Sequence, residues 1–581
     1  MPVPDLIRES FVGQLIYNFS GKRYFQYAEE RPGFVCPRRF DPARRASWTG
    51  PDSEAATLSE KKPIPEQKQK EGEKDKNRVS VAEREEGATD TQDPRSRSSS
   101  DPERGIAVSD EKPDPNLVDW YGPDDPEHPM NWSLRKRCFV TFNLCLLTFS
   151  IYIGSAIYAP GIEDVAQKFG VSDVAATLGL TMFVVGYGVG PMFLSPLSEI
   201  PQFGRTNVYI LSLLVFVVLQ VPTALCKNLG ALIPLRFLAG FAGSPPLATG
   251  GASLADMWAP EDRAVSIGLW GLAAVCGPVL GPLLGGFATQ AEGWTWTIWI
   301  LLWLSGASLV YLCVFLPETS SQTILHRRAV RLRRLTGNHA LRTQAEIDAA
   351  HMTMGEVAQM TLIRPFVLCV SEPIVLFWNL YIALVYGIIY IFIASFNVVF
   401  IEGHGFNLGE NGLAFMGLFV GALVTYAGFV PYAVLHLKPM FKNGIENFIP
   451  EERLPVAWVG SIFLPISLFW FGWTAAPSIP WIVPIIGSGF FTIGAFLLFQ
   501  AGLNYLSDCY PRYVASVLAG NDFFRSMVGA AFPLFSTAFF HNLGVGQACS
   551  VLGGIAVAML PIPFFLYKYG ARIRSWSKYA D

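Results

Sequence analysis

Charge is scarce in this chain and unevenly placed. Asp, Glu, Lys and Arg make up 16% of the 581 residues while apolar residues make up 51%, a balance that excludes an ordinary soluble protein. Of the charged residues, 46 fall within positions 1–134 and only 45 are spread over the remaining 447. A net charge of −3 leaves no basic domain, so nucleic acid is excluded as a partner. The nine cysteines form no C-x-x-C pair and mostly lie inside apolar runs, which reads as free, buried thiols and no metal site. No G-x-x-x-x-G-K-[ST] loop, H-E-x-x-H or G-x-S-x-G occurs. Those absences disfavour an ATP-driven pump and a membrane hydrolase, so neither catalysis nor a cofactor is expected. The seven histidines (His128, His326, His339, His351, His404, His436 and His541) fall in loops or at the ends of apolar segments, which makes histidine a poor candidate for proton carriage. The start, MPVPDLIRES, lacks the basic-then-apolar pattern of a cleaved leader, and no lipidation signature stands at either end, so the first apolar run must itself direct insertion.

What the chain has instead is long apolar segments. From Cys138 onward they recur with lengths that match a helix crossing roughly 30 Å of hydrocarbon. Twelve are read: 138–159, 175–197, 207–226, 229–254, 264–288, 295–316, 374–400, 411–436, 455–476, 481–506, 514–540 and 546–568. About 55 residues separate the sixth from the seventh, whereas most other connections are short. The expected architecture is therefore an all-α polytopic membrane protein of twelve helices in two pseudo-symmetric six-helix halves. Its divisions are a cytosolic, largely disordered tail (1–134), a first half (135–316), a central loop (317–372), a second half (373–568) and a short cytosolic tail (569–581). Within the long tail, a partly apolar start (Phe11, Ile16, Tyr17, Tyr24, Phe25, Tyr27) precedes a stretch from 41 to 112 rich in Lys, Glu, Asp, Ser and Pro, too polar to offset its chain entropy. The run SRSSSD at 96–101 could accept phosphate or simply serve as solvated tether.

Basic residues orient the spans. With both termini in the cytosol, 20 Lys/Arg flank the spans on the inner side, and the outer side keeps only Lys168 and Lys227. The central loop opens with TILHRRAVRLRRLTGN. There Ile324, Leu325, Ala329, Leu332 and Leu335 share one helical side and Arg327, Arg328, Arg331, Arg333 and Arg334 fill the rest. This reads either as a basic helix lying on the anionic inner leaflet or as a solvated linker. The halves also echo each other: SLADMWAPEDRAVS around Asp256 and YLSDCYPRYVAS around Asp508 place an acid, a Pro and a basic residue between an entering and a leaving span.

Charges that survive inside hydrocarbon cost about 2.5–3.5 kcal/mol on insertion scales and are candidates for function by default. Arg236 lies about two turns into the fourth span, and Asp522 and Arg525 share a face of the eleventh at i,i+3. The alternative for Arg236 is an internally paired structural cation, and for Asp522 with Arg525 a neutral pair locking two helices. Glu199, Asp256 and Asp508 sit at inner span ends. The fifth span carries Gly277, Pro278, Gly281, Pro282, Gly285 and Gly286, where small residues at i, i+4 and i+8 admit a close helix and the prolines permit a bend. Polar or amide groups within spans (Asn143, Tyr152, Tyr187, Asn379, Tyr381, Gln500, Asn504, Tyr505 and Asn521) would suit an interior cavity with scattered hydrogen-bonding groups.

Several stretches resemble a known family. GPMFLSPLSEIPQFGR at 190–205, LIPLRFLAGFAG at 232–243, CGPVLGPLLGG at 276–286, DDPEHPMNWS at 124–133, LPETS at 316–320, NYLSDCYPRYVASVLAGNDFFRS at 504–526 and SFVGQLIYNFSGKRYF at 10–25 are similar to twelve-span drug:proton antiporters of the major facilitator superfamily, in the fungal azole and benomyl resistance branch. The resemblance implies that Glu199, Arg205 and Asp256 form an inner-face charge cluster, that Arg236 serves proton coupling, and that the fifth-span Gly/Pro run is the antiport signature. One departure is that four residues separate Glu199 from Gly204, where the family pattern has two, and Ile200 stands where a basic residue follows the acid.

The expectation is a monomeric, multi-pass plasma-membrane exporter of hydrophobic small molecules, azoles among them, driven by protons through alternating access in the lipid bilayer. The same fold could instead serve as a dedicated exporter of one metabolite or toxin, or as a polyamine carrier, although few intramembrane acids are present to favour a polycation. A non-transporting membrane sensor is the remaining reading.

Overall fold

The computed structural model describes residues 7–31, 34, 40, 114, 116–350, 355, 359, 363–441, 449–510, 513–577 and 579. The tether at 41–112, with its serine run, and Cys36, His351, Lys442 and Arg512 lie outside the described residues.

Apolar runs ended by turn residues set the helices. A short helix α1 (Phe11–Phe19) comes first. In the first half, α2 (Leu134–Ala156), α3 (Asp173–Glu199) and α4 (Arg205–Ala224) follow, with Ser172 capping α3 by accepting from the Ala175 amide. The fourth span breaks at Ser244 into α5 (Leu229–Gly243) and α6 (Pro245–Met257), because Pro245 and Pro246 supply no amide to continue the ladder. α7 (Pro260–Glu292) ends at Gly293, whose φ of 84° suits glycine, and α8 (Thr295–Phe315) closes this half.

The central helix α9 (Ser321–Thr336) starts at the Ser320 cap and stops at left-handed Gly337. The second half contains α10 (Pro373–Phe396), α11 (Met416–Tyr432, preceded by the short helix Leu408–Ala414), α12 (Pro455–Thr474) and α13 (Ile482–Cys509). It ends with α14 (Val514–Ala531), α15 (Pro533–Leu543), α16 (Val545–Met559) and α17 (Pro561–Arg574). Among the described residues, eleven helical stretches are long and apolar enough to cross a membrane, and the pair α14/α15, bent by 47°, makes a twelfth. Pro533 breaks that span by removing one amide and crowding the preceding turn.

The two halves repeat one packing plan. α2 lies on α7, α3 on α5 and α4 on α8, and the same order recurs as α10 on α14, α11 on α13 and α12 on α16. Each half has its own core, with Phe183, Phe216 and Leu301 in the first and Phe392, Phe471 and Leu498 in the second. Between halves, α3 meets α14, and α7 meets α11 and the helix before it. Eight cysteines are described, all free. Cys145, Cys369, Cys509 and Cys549 are buried as expected, but Cys226, Cys276 and Cys313 are half-exposed and Cys138 is exposed.

The N-terminal segment and α9 build a small cap at the basic end of the bundle. Phe40, Val118, Ala329, Leu332 and Leu341 form its apolar centre. Ser10 bridges Pro317 just past α8, and Leu117 bridges Arg342. Four of the five α9 arginines turn to partners within the protein rather than to a leaflet or to solvent, and Arg334 is exposed. Arg328 and Arg331 are buried: Arg328 reaches Asp125 at 2.6 Å and Glu127 at 2.9 Å, and Arg331 reaches Glu29 at 3.2 Å and Glu127 at 3.1 Å. Arg331 stacks 3.8 Å from the Tyr27 ring centre and Arg328 4.1 Å from that of Tyr121. Arg333 pairs with Glu346, and Arg327 stands 3.7 Å from Glu318. Neighbouring carboxylates far along the chain thus neutralise what looked like a free basic face, which is why helical periodicity alone misassigned it.

Burial alone would raise the Glu29 and Asp125 carboxyls. Arg331 and Arg328 overcome it at Glu29, and the Arg328 hydrogen bond with two backbone amides overcomes it at Asp125, holding both below the usual carboxylate range. At Glu127, which faces Glu29, desolvation prevails and the carboxyl is pushed up despite the arginines. A depressed carboxyl contributes stability above its ordinary pKa and loses it as pH falls through the folded value, whereas protonating Glu127 first relieves repulsion with Glu29. Protection factors for hydrogen exchange of 11–30 and 117–131 are therefore expected to stay high down to about pH 4, the ordinary carboxylate value, and to fall below it; low protection already at about pH 6 would show that these pairs do not hold the cap.

Candidate functional site

Between the halves lies a cavity of about 620 Å³. Its wall runs from mid-bundle residues such as Tyr152, Trp270, Tyr386, Phe499 and Asp522 to Arg205, Asp256, Arg263, Arg364 and Asp508 at the basic end. Toward the opposite end the halves close on each other. The Thr181 hydroxyl of α3 donates to the Ala530 carbonyl of α14 at 3.1 Å, and a side chain at Gly188 would strike Ser526. On the other flank Gly286 abuts the Leu408 carbonyl and Gly412 abuts Pro282. The cavity therefore reaches the basic end and is sealed at the other.

Asp522 and Arg525 stand on the cavity wall as one bonded pair, the spacing expected of i,i+3 neighbours. Arg525 also donates from Nη2 to the Tyr152 hydroxyl of the first half at 3.0 Å and lies over the rings of Tyr386 and Phe499. Asp522 Oδ2 is buried and has no hydrogen-bond partner among the described residues. Beside this group, the Tyr187 hydroxyl of the first half meets those of Tyr386 at 2.6 Å and Tyr390 at 2.9 Å from the second. Polar groups thus join the halves at the apex of the cavity.

Arg236 is elsewhere. It is fully buried in the first half, donating to the Gly179 carbonyl at 3.0 Å and the Gly154 carbonyl at 2.8 Å, with Phe183 and Tyr158 against its guanidinium. It does not line the cavity, and its Nη1 has no hydrogen-bond partner among the described residues. Carbonyl dipoles and ring faces hold this cation inside the first half, with no carboxylate bonded to it among the described residues.

At the basic end, Arg205 pairs with Asp256. Glu318 positions it by accepting from the Arg205 and Thr206 amides at 3.2 and 3.3 Å, which caps α4. Gly204, at φ 74°, leaves room for that carboxylate. Glu199 lines the same wall at the end of α3. In the second half Asp508 pairs with Arg453 at 2.9 Å. Asp256 and Asp508 are thus matched by arginines that each precede the third span of their half, and the chain reading missed Arg453 although it stands 248 residues after Arg205.

Of the nine polar groups expected to face a cavity, Tyr152, Gln500, Asn504 and Asn521 do so. The other five do not: Asn143 donates to the Phe315 carbonyl, Asn379 bonds Asn521 and Cys369, Tyr187 is enclosed behind the tyrosine pair, and Tyr381 and Tyr505 flank Trp378. Polarity inside a span marks bonding between helices as often as a wet face. Tyr386 and Tyr390, missed in the sequence, were signalled by hydroxyls at i,i+4.

The Gly/Pro helix divides its faces. Gly277, Gly281 and Gly285 press on α2 at Tyr152, Ala156 and Ile157, inside the same half, while Pro282 and Gly286 face the other half and Pro278 lines the cavity. A side chain at Gly285 would collide with the Ile157 carbonyl, and one at Gly428 would meet nothing within 4 Å. Overpacking typically costs 1–3 kcal/mol, so Gly285→Leu should lower the thermal midpoint in detergent and Gly428→Ala should leave it unchanged; equal midpoints for both would refute close α2–α7 contact.

A profile for the Major Facilitator Superfamily matches residues 144–533. The chain is 49% identical to Transporter mfs1 of Schizosaccharomyces pombe, with 80% of this chain and 88% of that protein covered. It is 38% identical to the cycloheximide resistance protein of Candida maltosa, with 99% of each covered. It is 44% identical to fluconazole resistance protein 1 of Saccharomyces cerevisiae, covering 81% of this chain and 86% of that one.

Proposed function

The chain belongs to the Major Facilitator Superfamily, in the branch of these fungal drug-resistance proteins, and from that premise we propose that it exports hydrophobic small molecules, azoles included, across the plasma membrane in exchange for protons. In this reading both termini are cytosolic, the basic end faces the cytosol, one chain suffices, and the two halves rock about the cavity. The observation that carries it is the apex of that cavity, where the buried Asp522–Arg525 pair of one half is tied to Tyr152 of the other.

A substrate leaves the cytosolic leaflet or cytosol and enters the cavity among Trp270, Tyr386 and Phe499. A proton on Asp522 removes the anion that holds Arg525, and the Arg525–Tyr152 link between halves weakens with it. Arg236 acts at a distance by fixing α2 and α3, through the Gly154 and Gly179 carbonyls, in the half that carries Tyr152 and Tyr187. Glu199, Arg205, Asp256 and Asp508 bias the rims of the cytosolic opening. Each acid on the wall has an arginine on the same wall, a balance that suits uncharged amphiphiles and disfavours a polyamine cargo.

Purified protein in proteoliposomes tests this directly. Dye efflux should follow an imposed pH gradient and stop when an ionophore collapses it. Asp522→Asn should cut the gradient-driven rate about tenfold, within the usual range of coupling energies, while leaving dye binding. Arg236→Ala should abolish efflux with the protein still in the membrane. Efflux indifferent to the gradient would overturn proton coupling.

A further inference from the structure

The helix α1 turns its apolar side away from the protein. Val12, Leu15, Ile16 and Phe19 form an i, i+3, i+4, i+7 stripe, yet Leu15 and Ile16 are 40% exposed and Phe19 87%, while Gly13 and Tyr17 on the other side are buried. Water does not favour that arrangement, because burying each such side chain would gain about 1.5–3 kcal/mol. The helix is nevertheless unable to roll the stripe inward. Tyr17 bonds Glu30, Gln14 donates to the Tyr27 hydroxyl at 2.6 Å and to the Arg8 carbonyl at 2.9 Å, and Ser10 both accepts from the Gly13 amide and bridges Pro317. Its polar side is committed to the cap.

We propose that α1 is an interfacial helix, its outward stripe seated in the acyl region of the inner leaflet and its C-terminal flank against anionic headgroups. Two observations select lipid as the occupant. First, α1 packs against the ends of α4 and α8, where α4 begins and α8 has just ended, two spans whose outer flanks are apolar and exposed at Leu211, Leu214, Val218 and Val310. Second, the residues after the stripe are Lys22, Arg23 and Tyr24, with Arg23 and Tyr24 exposed, the basic and aromatic pair that favours a headgroup layer. An apolar stripe beside a lipid-facing flank, with an exposed cation just beyond it at Arg23, is the pattern of a helix lying in the membrane plane. The leaflet contact first expected of α9 therefore belongs to α1, and through Ser10, Glu30 and Tyr27 the bilayer surface is joined to the cap that surrounds Arg328 and Arg331.

The full-length protein in nanodiscs of zwitterionic and anionic lipid, one copy per disc, tests this. An environment-sensitive fluorescent amino acid would replace Leu15, Phe19 or, as a control off the stripe, Asn18. Doxyl groups near the lipid headgroup should quench the probes at 15 and 19 at least about twofold more than the probe at 18, with aqueous iodide giving the reverse order. Iodide quenching at 15 and 19 equal to that at 18 would place the stripe in water and overturn the proposal. Protection of 15 and 19 that appears only with two copies per disc would make the stripe a contact between chains, and overturn it equally.

Discussion

A buried charge in an apolar bundle has to be answered within the bundle, and the answer at Arg525 organises the rest of this protein. Its guanidinium is held by Asp522 a turn earlier on the same helix and by the Tyr152 hydroxyl from the other half. Removing one partner of such a pair leaves an uncompensated charge in low dielectric, a cost of several kcal/mol. The pair therefore sets one buried carboxylate and its arginine at the contact between the two halves. The hydroxyls of Tyr187, Tyr386 and Tyr390 extend the same tie.

Around that apex, the repeated six-helix plan runs from the tie to the rims. Gly277, Gly281 and Gly285 let α7 and α2 touch backbone to backbone, which packs the first half tightly around the Tyr152 end of the tie. The rims repeat as well, with Arg205 facing Asp256 and Arg453 facing Asp508. The cap adds a third body of different character, a small apolar centre beside buried ion pairs, attached to the first half through Ser10, Pro317 and Glu318.

Much of the fold was legible in the chain because hydrocarbon imposes one rule, apolar helices of sufficient length, on every span. Asp522 and Arg525 stood out for the same reason, as charges where few survive. What the chain concealed were partnerships between distant residues. The α9 arginines read as a leaflet-facing stripe or a solvated linker until Glu29, Asp125 and Glu127 came to meet them. Asn143, Tyr187, Asn379, Tyr381 and Tyr505 looked like cavity groups because polarity within a span does not say whether it faces a neighbour or a ligand. Arg236 was found as an intramembrane cation, but its support by carbonyls and rings rather than by an acid has no signature in residue spacing.

The central claim, that hydroxyl and ion-pair links at the sealed end hold the cavity open at the basic end, is most directly tested by measuring the distance between the rims. Spin labels at Gln202 and Ser516, on opposite rims, can be followed by pulsed dipolar spectroscopy in nanodiscs. Replacing Tyr152 and Tyr187 together by Phe removes the links without removing charge, and a new population with the rims closer together is expected. A distance distribution unchanged from that of the unmodified protein would contradict the claim.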